Sequence, residues 1–453
     1  MKKHNTNKIL KVALGVSIVF TFHLSAYAQD TARHVRQGWT FGVLPSVAYD
    51  ADLGFQYGAL TNIYYFGDGS TYPEYLHSFY AEAAYTTKKF GIFRTSYDSK
   101  HLIPNHRLSV DITYLPDQMC DFYGFNGYQS EYNAAYSDQE DPAYISRAYY
   151  KYRRDLFRFS ADLQGELHKP FYWNAGIGLL HFTVGPVDVD RLNRYTRDEA
   201  DYLPDTVTLF DYYVADGYIG AAESDGGTHP YLHGGVTFDT RDRQQNPTRG
   251  IHADAFLTYY AGFGNGFDNL KLNANWRQYI TIVPNCITFA YRLGTQLNLA
   301  GNSPFYLNTY LNQLYMQRVV YEGLGGANSV RGIMRNRILA PGVAFANVEL
   351  RTQLFSFKVG KNMFYVGLNP FVDAGMVVQP YNRVESDPHL GTPIADDETD
   401  LDNPLYDPHL GGGCGLKVAM NDNFVLSVDW ATAFDRQDNG KFSNLYIKMG
   451  YMF

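Results

Sequence analysis

Cysteine is scarce in this chain, with three residues in 453. Three cysteines cannot staple a disulfide framework, and Cys120, Cys286 and Cys414 are read as unpaired. Charge is modest too, at 19%, beside 16% aromatic residues. That combination does not suit a solvated, disordered coil. Basic residues are in deficit: 38 Lys and Arg stand against 46 Asp and Glu, a formal charge of −8. This argues against a basic nucleic-acid binder. Past the N-terminus no run of 18 apolar residues occurs, which excludes a helical membrane protein. Catalytic signatures are missing: there is no G-x-S-x-G, no H-E-x-x-H and no P-loop. The thirteen histidines are scattered and make no ligand pair. Gly262-x-Gly264-x-Gly266 falls in a strand connection with no helix after it, so it is not a dinucleotide loop. No enzymatic activity, cofactor or metal is expected. What remains is a chain rich in Tyr (39), Phe (30) and Gly (41), the composition of a large β protein. Its length suits either two or three soluble domains or one big barrel.

The N-terminus sets the compartment. Lys2, Lys3, Lys8 and Lys11 form a positive region, and an apolar stretch follows over 12–22. Ala26-Tyr27-Ala28 is a small-x-small site, so residues 1–28 read as a signal peptide cleaved before Gln29. No Cys follows the site, so a lipoprotein is not indicated. Without its four lysines the mature chain has 34 basic and 46 acidic residues, a charge of −12.

The mature chain alternates. From Phe289 the odd positions to Leu299 read Phe, Tyr, Leu, Thr, Leu, Leu, while the even positions from Thr288 read Thr, Ala, Arg, Gly, Gln, Asn. Over 344–354 the even positions are mostly apolar, and the odd ones include Asn347, Glu349 and Arg351. A period of two gives each strand one apolar and one polar face. Strands of a soluble sandwich usually have five or six residues. These run to ten or more, as a tilted strand crossing a bilayer must. Only a closed barrel then satisfies every backbone group in lipid. Sixteen strands are counted between 39–49 and 442–453, with 145–167 taken as one long strand. That count puts the long connections 117–144, 185–229, 300–341 and 379–408 all on one side. The expected architecture is all-β: a 16-stranded antiparallel transmembrane β-barrel over 39–453, after a short periplasmic segment 29–38. The loops 185–229 and 379–408 are strongly acidic, lack calcium-binding spacing, and read as solvated surface. Asp239, Arg241 and Asp242 read as a lumenal charge cluster beside a periplasmic turn.

One long loop is more specific. It contains Gly325-Gly326-Ala327-Asn328-Ser329-Val330-Arg331-Gly332-Ile333. Beyond it come Asn347-Val348-Glu349-Leu350-Arg351 and Phe371-Val372-Asp373-Ala374-Gly375, and before it Phe238-Asp239-Thr240-Arg241-Asp242. This set, in this order, resembles the BamA/TamA superfamily of outer-membrane assembly factors and related transporters. The chain resembles its barrel-only branch, without POTRA domains. The resemblance implies the outer membrane of a Gram-negative bacterium. It also implies a loop folded into the lumen, with Arg331 meeting Asp373 and Glu349, both on polar strand phases. Glycines 325, 326 and 332 would let the loop enter a crowded lumen. Val330, Ile333, Phe371 and Gly375 complete the carried-over site, and Tyr451-x-Phe453 matches a C-terminal insertion signal. Two positions depart from the pattern: Ile333 stands where the family usually has an aromatic, and Lys448 where it has Gly, with Gly450 nearby.

The implied role is assisting insertion or translocation of proteins, or lipids, without chemistry. A seam between strands 1 and 16 would template incoming strands, thinned by Pro45 in strand 1. Expected partners are outer-membrane lipids, unfolded barrel clients and separate periplasmic or outer-membrane proteins, with no nucleic acid. The alternatives are a passive porin-like channel or a barrel subunit of a larger surface complex.

Overall fold

The computed structural model describes residues 35–453, apart from 73, 195, 197, 245, 264–265, 312–321, 361, 382–403, 422–423 and 441–442. The expected signal peptide 1–28 and most of the acidic loop 379–408 lie outside the described residues. Sixteen strands form one closed antiparallel barrel. β1 runs in two pieces, Trp39–Pro45 and Ala48–Asp50, both paired with β2 (Gly54–Tyr65). β3 (His77–Thr86), β4 (Gly91–Ile103) and β5 (His106–Asp121) follow. Next come β6 (Lys151–His168), β7 (Phe171–Gly185), β8 (Gly226–Asp239) and β9 (Gly250–Tyr260). β10 (Asn269–Val283) and β11 (Ile287–Gly301) lead to the lumenal loop. β12 is again in two pieces, Gly342–Thr352 and Phe355–Val359, both paired with β13 (Asn362–Gln379). β14 (His409–Met420), β15 (Phe424–Ala433) and β16 (Asn444–Met449) close the wall onto β1.

Neighbouring residues along a strand show the two environments. Arg292, Lys417 and Asp429 are 0% exposed, while Leu293, Leu416 and Trp430 beside them are 51%, 43% and 54% exposed. Exposed apolar and buried charged residues reverse the soluble pattern. The outer face meets acyl chains and the polar face lines a filled lumen. Several turns on one side are tight and carry left-handed asparagines, Asn105, Asn285 and Asn421, which such turns favour. The long connections all follow odd-numbered strands, so they share the other, extracellular side.

These loops cap the barrel. Phe122, Phe125 and Tyr152 pack with Phe210 and Tyr213 of α2 (Leu209–Ala215) and with Phe305 of α3 (Phe305–Asn308). An earlier helix, α1 (Val189–Asn193), lies in the same loop as α2. The ring centroids are 5.1–6.3 Å apart from Phe122 in edge-on contacts. This aromatic dome explains where β6 begins. Tyr149 and Tyr150 belong to the dome, so residues 145–150 fold as loop and the strand starts at Lys151. The last strand also stops early, at Met449 rather than 453. Gly450 takes φ +84° and turns the chain off the wall.

Leu293→Arg places a cation on the lipid face near mid-strand. It should lower stability by about 2–4 kcal/mol in urea unfolding from lipid vesicles. An unchanged midpoint would mean that this face is not in lipid.

Candidate functional site: the lumenal loop and the closing seam

The loop between β11 and β12 turns back on itself before it reaches the wall. Gly325 and Gly326 adopt φ +109° and +90°, and Ser329 Oγ accepts from the Gly325 N–H at 2.9 Å. Gly332, at φ +93°, passes so close to β15 that a Cβ would lie 2.6 Å from the Thr432 carbonyl group. Val330 and Ile333 are fully buried. A Cβ on Gly375 would sit 2.9 Å from Val330 and 3.1 Å from Ile338. The missing side chain at 375 is thus what admits the loop.

Arg331 lies at the centre, with no exposure. Its backbone N–H donates to Asp373 Oδ2 at 3.0 Å, and Nε donates to the same oxygen at 2.7 Å. One terminal nitrogen donates to Asp373 Oδ1 at 3.0 Å. The other lies 2.8 Å from Glu349 and 3.5 Å from Asp429. The guanidinium carbon stands 3.4 Å from the ring centroid of Phe371. Arg351 pairs with Glu349 at 2.9 Å, and Lys417 pairs with Asp429. Three cations and three carboxylates therefore neutralise one another in a buried site. Bidentate pairing suits arginine and offsets the desolvation cost. Glu349, Phe371, Asp373 and Gly375 are thus brought together around Arg331. Asp429 and Lys417 join them without belonging to any motif.

Two more arginines extend the loop's reach. Arg335 donates to Asp121 and Asp117 of β5, each at 2.8 Å. Arg337 donates to the carbonyls of Gln437 (2.9 Å), Gly127 and Ser130 (2.8 Å each). Both are buried, and they tie the loop to β5 and to the connections after β5 and β15. Glu322 is buried at the start of this stretch and accepts from the Asn328 N–H at 2.8 Å. Burial first, then the charge of Asp50, pushes its carboxyl up to about 8.

The seam contrasts with this anchoring. Among the described residues β16 and β1 share two residue pairs, Tyr446 with Asp50 and Ile447 with Tyr49. β15 and β16 share six. The stretch Trp39–Pro45 of β1 pairs with β2 alone. β16 is instead held by the loop: Lys448 Nζ donates to the Ala327 carbonyl at 2.7 Å, and the Gly332 N–H donates to the Tyr446 hydroxyl at 3.3 Å. Beyond Gly450 the tail enters the lumen. Tyr451 and Tyr365 hydroxyls meet at 2.9 Å, and Arg351 donates to the Phe453 carbonyl at 2.7 Å. The same guanidinium lies 4.2 Å from the Tyr451 ring and 5.0 Å from the Phe453 ring. Tyr451 and Phe453 therefore do not extend the outer face of β16. Among the described residues no His, Cys, Asp or Glu cluster is placed to hold a metal.

Residues 83–453 match the model of the Omp85 superfamily domain. The chain belongs to the Omp85 superfamily. Among solved structures it is similar to BamA from Haemophilus ducreyi lacking POTRA domains 1–3. That match has 14% identity and a TM-score of 0.51, and covers 92% of this chain and 70% of the other. It is also similar to CdiB from Escherichia coli, at 10% identity and a TM-score of 0.53, over 91% of this chain and 62% of that one. At these identities the likeness is one of fold, and this chain spans less than two thirds of the CdiB length. No curated protein sequence matches. As an Omp85 barrel the protein resides in the outer membrane of a Gram-negative bacterium.

Two outcomes follow from this geometry. Arg331→Ala leaves buried carboxylates without their partner and should cost about 3–5 kcal/mol in urea unfolding from vesicles. Arg331→Lys keeps the charge but not the fork, and should still cost about 1–3 kcal/mol. Wild-type stability in both would show that the network contributes nothing. For Glu322, the folded state holds its proton more tightly than the unfolded chain. Stability should therefore fall as pH rises from the ordinary glutamate range, 4.5, to about 8. Glu322→Gln should flatten that slope, and an identical slope in the variant would contradict it.

Proposed function

We propose that this Omp85 barrel assists the insertion or translocation of proteins at the outer membrane, with the β1–β16 seam as its working edge. The observation that carries this reading is the two-pair seam beside a stretch of β1 that, among the described residues, pairs on its β2 side alone. Unpaired backbone groups are costly in lipid, so the edge at Trp39–Pro45 favours pairing with an incoming strand. Pro45 removes one donor there and keeps the closed state weak. The loop carrying Arg331 acts as a brace, holding β16 through Ala327 and Gly332 while its own arginines grip the far wall. The action is mechanical rather than chemical. Its partners would be outer-membrane lipids, unfolded barrel clients and separate periplasmic or outer-membrane proteins.

A passive porin-like channel fits less well, because the aromatic dome and the buried arginines fill the lumen. In planar bilayers the wild-type barrel should give small, intermittent currents; large, steady single-channel currents would favour the pore. The assembly role is tested by depleting the protein and measuring other barrels in the outer membrane. Their levels should drop, and unchanged levels and localisation of every other barrel would sink the proposal.

A further inference from the structure

A chamber of about 630 Å³ lies at the extracellular end, and the lumenal loop forms one side of it through Met334 and Arg335. Six outer segments frame it: the β1–β2 and β3–β4 turns, and the long connections after β5, β7, β11 and β15. Its size is that of a small-ligand site rather than a packing defect. Its charge runs against that of the chain. Five cationic side chains, Lys88, Lys89, Arg147, Lys151 and Arg335, line it with three carboxylates, Asp52, Asp121 and Asp201. The whole chain has a formal charge of −8. Asp121 is paired with Lys151 and Arg335, Arg335 is paired with Asp117 as well, and Lys88 Nζ donates to the Ala51 carbonyl, while Lys89 holds no ion pair among the described residues.

One wall is aromatic. Tyr123, Tyr132 and Tyr150 lie together with ring centroids 5.0–5.5 Å apart. Tyr132 is the part-exposed ring of the three and offers a face to the C–H groups of a sugar, backed by the buried Tyr123 and Tyr150, while Thr87 and Ser137 offer hydrogen bonds to its hydroxyls. Asp52 adds an independent sign of a missing ligand. It lines the chamber, and its buried Oδ2 has no hydrogen-bond partner among the described residues. Burial and the nearby Asp50 and Asp121 charges push this carboxyl up to about 7, so it is able to donate to a hydroxyl oxygen.

We infer that this chamber binds a phosphorylated saccharide unit, its phosphate on the lysine side and its ring against the tyrosine wall. The outer surface of a Gram-negative outer membrane carries sugars of this chemistry, on glycolipid and free. An acidic peptide is disfavoured, because the chamber is short and offers no described unpaired strand edge. The inference does not depend on the assembly reading.

The test is calorimetric titration of the full-length barrel in detergent with mannose 6-phosphate, mannose and inorganic phosphate. Mannose 6-phosphate should bind saturably, about tenfold or more tighter than either fragment. Lys88→Gln and Lys89→Asn should each weaken it about tenfold, the loss of one charge-assisted hydrogen bond. Lys89 has φ +72°, which Asn tolerates, so that variant should fold. Its heat-dependent gel mobility, which should match wild type, checks this. Tyr132→Ala should weaken the sugar phosphate but not inorganic phosphate. No saturable binding, or equal binding by the lysine variants, overturns the proposal. Inorganic phosphate binding as tightly as the sugar phosphate overturns the saccharide part. Thermal stabilisation in vesicles with and without lipopolysaccharide then separates a lipid-borne sugar from a free one.

Discussion

A guanidinium with no exposure has to be neutralised where it lies, and Arg331 sets that constraint for this barrel. Its guanidinium is hydrogen-bonded to Asp373 through two nitrogens and ion-paired with Glu349, and Asp429 stands beyond. Those acids come from β12, β13 and β15, so one side chain ties three strands to one loop. The glycines follow from the same demand. Gly375 leaves room for Val330, and Gly411 lies so near the Arg331 carbonyl that a Cβ would be 2.1 Å away. Arg335 and Arg337 carry the tie across the lumen, to β5 and to the connections after β5 and β15.

The strength of this brace gives the weak seam its meaning. A barrel in lipid normally closes every edge, because unpaired backbone groups are costly there. Here β16 ends after six residues and its tail packs inward against Arg351 and Tyr365. The closing strand is therefore held by β15 and by the loop, and little by β1. Lys448 stands where the family pattern expects Gly, and it is one of the contacts between β16 and the loop. On the proposed reading, a braced loop beside a thin wall would confine opening to this seam, as suits a device that admits a strand sideways.

Much of this was legible in the sequence. Strict alternation gave the number of strands and their facing, because lipid and lumen demand opposite side chains at adjacent positions. The family resemblance carried by Gly325, Gly326, Arg331 and Gly332 with Asp373 marked the loop. Other features left no local trace. Lys417 and Asp429 are ordinary polar-phase residues, and only the closing of the sheet brings them to Arg331. Arg335 and Arg337 follow the motif in an irregular stretch, where no periodicity assigns a direction. Tyr149 and Tyr150 read as strand because aromatics suit strands, yet packing in the dome takes them out of the wall. At the C-terminus the alternation of Leu445, Ile447, Met449, Tyr451 and Phe453 continues through Gly450. The turn there depends on one left-handed residue and on the Arg351 pocket, which lies about a hundred residues away in the chain.

The most direct measurement is a disulfide across the seam, between Tyr49→Cys and Ile447→Cys, which face each other in the register. The oxidised double variant should fold and reach the membrane. It should fail to restore the levels of other barrels in depleted cells, and recover when reduced. Full restoration by the locked, oxidised barrel would contradict the account, because the work would then not pass through the seam.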